Sequence, residues 1–218
     1  MKKMSKFSFK KTFKGKTVIV TGHTGFKGSW LTLWLTSLGA NVIGISSGIP
    51  SNPSHFKILS LKKKIINKNI DIRNLKKLKN LFINYKPNFV FHLAAQSLVK
   101  ESYVDPIYTF QTNSIGTLNV LESLKKLKNN CTAILITSDK SYKNLEIKRG
   151  YREDDALGGT DPYSASKASA ELIIQSYVKS YFKKNDKISI GIARAGNVIG
   201  GGDWSKDRLV PDCVKSWS

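Results

Sequence analysis

A short β-branched run, Lys16-Thr17-Val18-Ile19-Val20-Thr21, breaks at Gly22-His23-Thr24-Gly25-Phe26-Lys27-Gly28 and passes directly into an apolar stretch ending at Leu38. No other feature of the 218-residue chain limits its fold so tightly. A strand without polar alternation is buried on both faces, as in a parallel sheet covered by helices. Glycines at this spacing let the chain turn sharply and bring its backbone close to a ligand. The helix that follows points free N–H groups and positive potential at that place, and a pyrophosphate satisfies both. The turn therefore predicts a dinucleotide site formed by Gly22, Thr24, Gly25, Phe26 and Gly28. Lys27 can face phosphate there, whereas His23 reads as incidental.

The rest of the chain repeats the alternation. Strands are expected at residues 16–21, 41–46, 65–70, 88–94, 132–137 and 187–193. Helices are expected at 25–38, around Leu75 to Phe82 before Pro87, at 106–127 and at 161–182, the last with Pro162 in its first turn. Trp30 and Trp34 are expected to pack against the sheet. Such alternation predicts an α/β fold, a doubly wound parallel sheet (Rossmann fold) of order 3-2-1-4-5-6. Its ligand crevice opens at the carboxyl ends of strands 1 and 4. Residues 1–14 read as a basic tail, 15–197 as the nucleotide-binding domain with the catalytic residues, and 198–218 as the start of a substrate-binding domain. The loop at 139–160 is long for a strand-to-helix connection, as functional loops often are.

A formal charge of +21 invites a nucleic-acid reading, but only five of the 36 basic residues are arginine. Arginine is the residue that forks onto phosphate and guanine. The lysines are scattered over helix faces and turns, which describes a solvated basic surface and no nucleic-acid partner. No apolar run approaches the ~20 residues of a membrane span. The lysine-rich N-terminus lacks a signal core, and Cys131 and Cys213 match no metal or redox spacing. These features describe a cytoplasmic protein with no metal site.

Tyr163 and Lys167 share one helix face, and an ammonium beside a phenol favours the phenolate. Ser138, Asp139 and Lys140 follow strand 5 where it opens into the crevice. The serine hydroxyl can hold a reacting oxygen, while the next two residues add an acid and a potential base. At the end of strand 2 the acid expected to hold a ribose is replaced by Ser46, whose hydroxyl can also bond a ribose. Asp71-Ile72 follows strand 3, where a helix-capping carboxylate is the competing reading.

Five segments carry a resemblance: residues 20–31, Thr137-Ser138-Asp139-Lys140, Gly150-Tyr151-Arg152-Glu153, Gly158-Gly159 with Asp161-Pro162-Tyr163-Ser164, and residues 194–204. Together they resemble the CDP-glucose 4,6-dehydratases of the extended short-chain dehydrogenase/reductase (NAD-dependent epimerase/dehydratase) family, from about residue 13 to the end. Members are longer, with a C-terminal substrate domain, so the resemblance implies a truncated chain. It implies NAD as cofactor, held by the glycine turn, Ser46, Asp71, Ile72, Tyr163, Lys167 and the small-residue run Ala94-Ala95-Gln96. It implies a CDP-glucose substrate contacted by Gln96, Ser138, Arg194, Asn197 and Arg208. In the reaction it implies, Tyr163, aided by Lys167 and Ser138, takes the sugar O4 proton. Lys140, where the related dTDP-glucose enzymes carry Glu, takes the C5 proton, and Asp139 protonates the departing C6 hydroxyl. It further implies a homodimer through a four-helix bundle built from the helices at 106–127 and 161–182. The alternatives are another nucleotide-sugar epimerase or dehydratase, acting on a dTDP- or GDP-sugar, and a non-catalytic nucleotide-binding fragment.

Overall fold

The computed structural model describes residues 8–184 and 186–217. In chain order the main elements are α1 (Phe9–Phe13), β1 (Thr17–Thr21), α2 (Phe26–Ser37), β2 (Asn41–Ser46), α3 (His55–Ile58), β3 (Ile66–Asn69), α4 (Leu75–Tyr85) and β4 (Phe89–His92). They continue with α5 (Val99–Val104), α6 (Pro106–Phe110), a π turn (Gln111–Ile115), α7 (Gly116–Leu124), β5 (Cys131–Ile136) and α8 (Pro162–Tyr177). A second π turn (Val178–Phe182), β6 (Ile188–Ala193) and α9 (Leu209–Trp217) complete the set.

The six strands form one parallel sheet of order β3-β2-β1-β4-β5-β6, as the alternation predicts. β1 lies at its centre, and Val18, Ile19 and Val20 are wholly buried because side chains on both faces are covered. Ile19 faces a large core with Leu78, Phe82, Leu121 and Ile174 from α4, α7 and α8. Val18 and Val20 face a smaller one with Phe13, Leu35 and Val42. The β1–β4 pairing is the reversal point of the strand order, so the crevice opens beyond Thr21 and His92.

Two expectations change. Trp30 and Trp34 do not enter the core; they remain 45% and 42% exposed. The buried stripe of α2 is Gly28, Ser29, Thr32 and Leu35, small residues that let the helix lie close to the sheet, and it turns both tryptophans outward. Trp34 instead meets Phe9 and Phe13 edge-on. Trp30 stacks near His55 and donates to the Gly201 carbonyl at 2.9 Å. The segment read as a basic tail also contributes structure, since α1 lies inside it and buries Phe13. Residues 1–7 of that tail lie outside the described residues.

The helix expected at 106–127 is interrupted by its π turn, from which Asn113 grips Gln96. Asn113 Oδ1 accepts from Gln96 N at 2.9 Å, and its Nδ2 donates to Gln96 O at 3.0 Å and to Ser166 Oγ at 2.9 Å. At the other end, α9 buries no residue and exposes Leu209 and Trp217.

Candidate active site

A cavity of about 990 Å³ opens at the carboxyl ends of the strands. Its first wall is the turn between β1 and α2. Gly22 has φ +72°, and a Cβ there would lie 2.7 Å from Ala94 N. A Cβ on Gly28 would lie 2.0 Å from the Gly22 carbonyl, so this glycine lets the helix seat on the turn. Gly25 differs: a Cβ there would meet only Gly22 O, at 3.4 Å. Glycine at 25 is therefore not demanded by the fold, and its open side faces the cavity. That space, beside the first turn of α2, fits a pyrophosphate.

Thr24, Phe26, Lys27 and Ser46 line the same wall. Thr24 Oγ1 donates to Gly48 O at 2.6 Å and lies 2.7 Å from Ser46 Oγ, which also bonds Gly48 O. Ser46 is thus engaged in fixing the loop after β2. His23 sits in a slot that exists because residue 44 is glycine, with Nε2 2.6 Å from Asn67 Oδ1. Asp71 and Ile72 line the cavity, and Asp71 accepts from the Arg73 guanidinium at 2.7 Å. The cap of α4 is Asn74, which accepts from Lys77 N, so Asp71 is not the capping residue. Ala94 and Ala95 also border the cavity.

Gln96 does not border it. Its Nε2 donates to Leu98 O and Thr109 Oγ1, and its Oε1 accepts from Leu98 N. These bonds tie Gln96 to the loop after β4.

The opposite wall carries Ser138, Lys140, Tyr163 and Lys167. Asp161 caps α8 by accepting from Ser164 N, which starts the helix with Tyr163 and Lys167 turned inward. Ser138 hydrogen-bonds Tyr163 and also donates to Asp139 Oδ1 at 3.0 Å. Lys140 Nζ donates to the same Asp139 oxygen at 3.4 Å. Burial raises the Tyr163 phenol above its ordinary value, against the Ser138 bond and the charge of Arg208, which pull it down. Burial, and next the charge of Lys27, lowers Lys167 to about 8, while Glu171 opposes the shift. Lys167 Nζ stands 5.9 Å from the Tyr163 ring centre. Desolvation is thus the force that opposes the phenolate at Tyr163.

Asn197 and Arg208 line the outer rim. Arg194 does not. Its guanidinium forks onto Glu171, donates to Glu153 O and stacks over Tyr142 at 4.4 Å. In the structure its partner is thus the internal carboxylate of Glu171. Sequence reading missed Glu171, although its position four residues after Lys167 sets it on the catalytic face of α8. It also missed His92, the polar end of an apolar strand. His92 accepts from Thr21 Oγ1 at 2.7 Å, contacts Thr117 Oγ1 at 3.1 Å, and is held neutral by burial, which lowers it to about 3. Among the described residues no group of three or more His, Cys, Asp or Glu is arranged to hold a metal, and no helix is long and apolar enough to cross a membrane.

Comparison with known proteins agrees with this architecture. The chain is 49% identical over 212 residues to a CDP-glucose 4,6-dehydratase of Salmonella typhimurium, covering 95% of this chain and 59% of that protein. It is 31% identical to a dTDP-D-glucose 4,6-dehydratase of Dictyostelium discoideum, covering 90% of this chain and 47% of that one. Among solved structures, an epimerase of Methanothermobacter thermautotrophicus superposes with a TM-score of 0.78 at 27% identity, over 93% of this chain and 58% of its own. A UDP-glucose 4-epimerase of Thermus thermophilus, solved with NAD, gives 0.71 at 27% identity, over 84% and 56%. The chain thus spans about half the length of these relatives. Residues 19–190 match the profile of the GDP-mannose 4,6 dehydratase family, and the chain belongs to that family.

Proposed function

We propose that this chain is the NAD-binding and catalytic part of a nucleotide-sugar 4,6-dehydratase acting on CDP-glucose, a hydro-lyase of deoxysugar biosynthesis of the O-antigen type. One observation carries the reading. One cavity is lined by a Tyr/Lys pair suited to oxidation and by the amine of Lys140, and the carboxylate of Asp139 lies 3.4 Å from that amine on the same turn. Alcohol oxidation or epimerisation needs only the first pair. Removing water across C5 and C6 needs a second base and a second acid.

Gly22, Gly25 and Gly28 would hold the NAD pyrophosphate, with Thr24, Phe26 and Lys27 beside it. Ser46, Asp71 and Ile72 would meet the adenosine end, and Ala94 and Ala95 would border the cofactor. Bound there, NAD would supply reversible hydride acceptance from C4 and donation to C6, so none would be consumed. Tyr163 takes the O4 proton, with Ser138 bonded to the same oxygen and Lys167 supplying positive charge. The resulting ketone acidifies C5, Lys140 takes that proton, Asp139 delivers one to the C6 hydroxyl, which leaves as water, and Lys140 returns its proton to C5 as C6 is reduced. Asn197 and Arg208 would bind the sugar nucleotide.

The remaining parts of the reading follow from the same site. Residues 15–197 form the nucleotide-binding domain, and residues 198–218 begin a substrate domain, consistent with an α9 that buries nothing. Val104, Ile107 and Leu172 are 79%, 70% and 58% exposed on α5, α6 and α8, which supports a homodimer through a four-helix bundle. The unpaired Cys131 and Cys213 suit a cytoplasmic location.

The test is a CDP-glucose single turnover, on protein carrying the further length that the relatives have. Tyr163→Phe should give neither reduced cofactor nor ketosugar. Lys140→Met should accumulate reduced cofactor and a 4-keto-glucose nucleotide while C5 deuterium exchange falls ~10²–10⁴-fold. Exchange at the wild-type rate in Lys140→Met removes that residue as the base.

A further inference from the structure

Tyr163, Lys167 and Glu171 recur every four residues along one face of α8. The chemistry above uses the first two. Glu171 is fully buried, and no ligand is needed to explain its charge. Burial alone would raise its carboxyl, but bonds from Arg194, Thr137 and Ser141 together outweigh it and keep the group ionised. Thr137 Oγ1 donates to Glu171 Oε1 at 2.7 Å and Ser141 Oγ at 2.8 Å, while Arg194 donates through Nε and Nη2 at 2.8 Å and 2.5 Å.

Buried ion pairs contribute little net stability, so their geometric consequence matters more. Here the geometry is specific. Thr137 and Ser141 bracket Ser138-Asp139-Lys140, so one carboxylate anchors both ends of the turn that carries the acid and the base. Arg194 extends the hold to the long loop through Glu153 O and the Tyr142 ring, and Tyr142 forms the antiparallel bridge to Leu157 that closes the loop's base.

We propose that Glu171, paired with Arg194, is a positioning residue that fixes the Ser138–Lys140 turn against the Tyr163–Lys167 face, so that proton transfer at C5 and C6 is registered with oxidation at C4. This rests on the dehydratase reading for its chemistry, but not for the turn it describes. Removing Glu171 itself would strand Arg194 and risk unfolding. The informative variant is Thr137→Val with Ser141→Ala, which keeps the ion pair and releases the turn.

Two measurements are needed. Amide hydrogen exchange at residues 138–142 should rise about tenfold while β1 and β4 stay unchanged, because only a local opening is made easier. In the single turnover, reduced cofactor should form within about threefold of the wild-type rate while elimination slows about tenfold or more, so reduced cofactor accumulates. Thr137→Ser, which keeps the hydroxyl, should behave as wild type. Unchanged exchange at 138–142, or equal loss in both steps, would overturn the proposal. If the unmutated protein fails to turn over CDP-glucose, the dehydratase reading falls, and the exchange result alone decides whether Glu171 holds the turn.

Discussion

The two walls of the cavity are built from opposite materials. The glycine-turn wall is made of backbone and of side chains left out, with Gly22 against Ala94 N and Gly28 against Gly22 O. The wall at β5, α8 and β6 is made of side chains, including a buried lysine, a buried glutamate and the hydroxyls that bond them. At Gly22 and Gly28 the first achieves close approach by sterics that tolerate no added atom. The second achieves position by pairing, which tolerates conservative change as long as partners remain. A backbone wall should therefore break abruptly, and a paired wall by degrees.

The largest expected effect comes from Gly28→Ala. Its Cβ would press on a backbone carbonyl, and overpacking of this kind should cost about 3 kcal/mol or more in chemical denaturation. Gly201→Ala, with nothing within 4 Å of the added Cβ, should stay within about 0.5 kcal/mol. Equal costs at the two sites would remove the steric account of the first wall.

Lys167→Met probes the second wall. Because the folded protein holds Lys167 at about 8 against an ordinary 10.5, the unfolded chain binds more protons between those values, and stability rises with pH across that window. Below pH 8 the fold bears the full cost of the buried charge, about 3 kcal/mol. Lys167→Met should thus be more stable by up to about that amount at pH 7, with the gain fading from pH 8 to 10.5. A pH-independent difference would show that packing, and not charge, sets it.

Gly25→Val should have the smallest effect on the fold and still matter for binding. Thermal stability should stay near wild type, since only Gly22 O lies near the new Cβ. NAD affinity by calorimetry should fall roughly tenfold or more, about 1.4 kcal/mol. Wild-type affinity in folded Gly25→Val would sink the pyrophosphate assignment.

The same contrast explains what could be read from the residues. Strand order and the glycine turn were legible because burial on both faces of β1 and tight turning impose local, contiguous patterns. Tyr163, Lys167, Ser138 and Lys140 were legible as motifs, and the structure brings them to one cavity. Glu171 and Arg194 were not, because each acts through partners 23 to 34 positions away. The internal partners of Gln96 and Arg194 were not legible either, because nothing local reveals that Thr109, Asn113 and Glu171 bond them. The tryptophans of α2 misled because apolar character says nothing about which side of a helix needs small residues.

The π turn between α6 and α7 has a consequence of its own. Just before it, Thr109 accepts from the Gln96 side chain, and within it Asn113 holds the Gln96 backbone. Beyond it, Thr117 meets His92, and Asn119 Nδ2 donates to Ile72 O at 3.0 Å. One residue more or fewer in a helix turns everything downstream by about 100°. Straightening this segment by one residue would leave every side chain chemically intact and detach one set of partners from the other. What must be preserved here is a count together with the Asn113 side chain, so substitutions at the other positions of 111–115 should be tolerated across relatives far more readily than any change in their number.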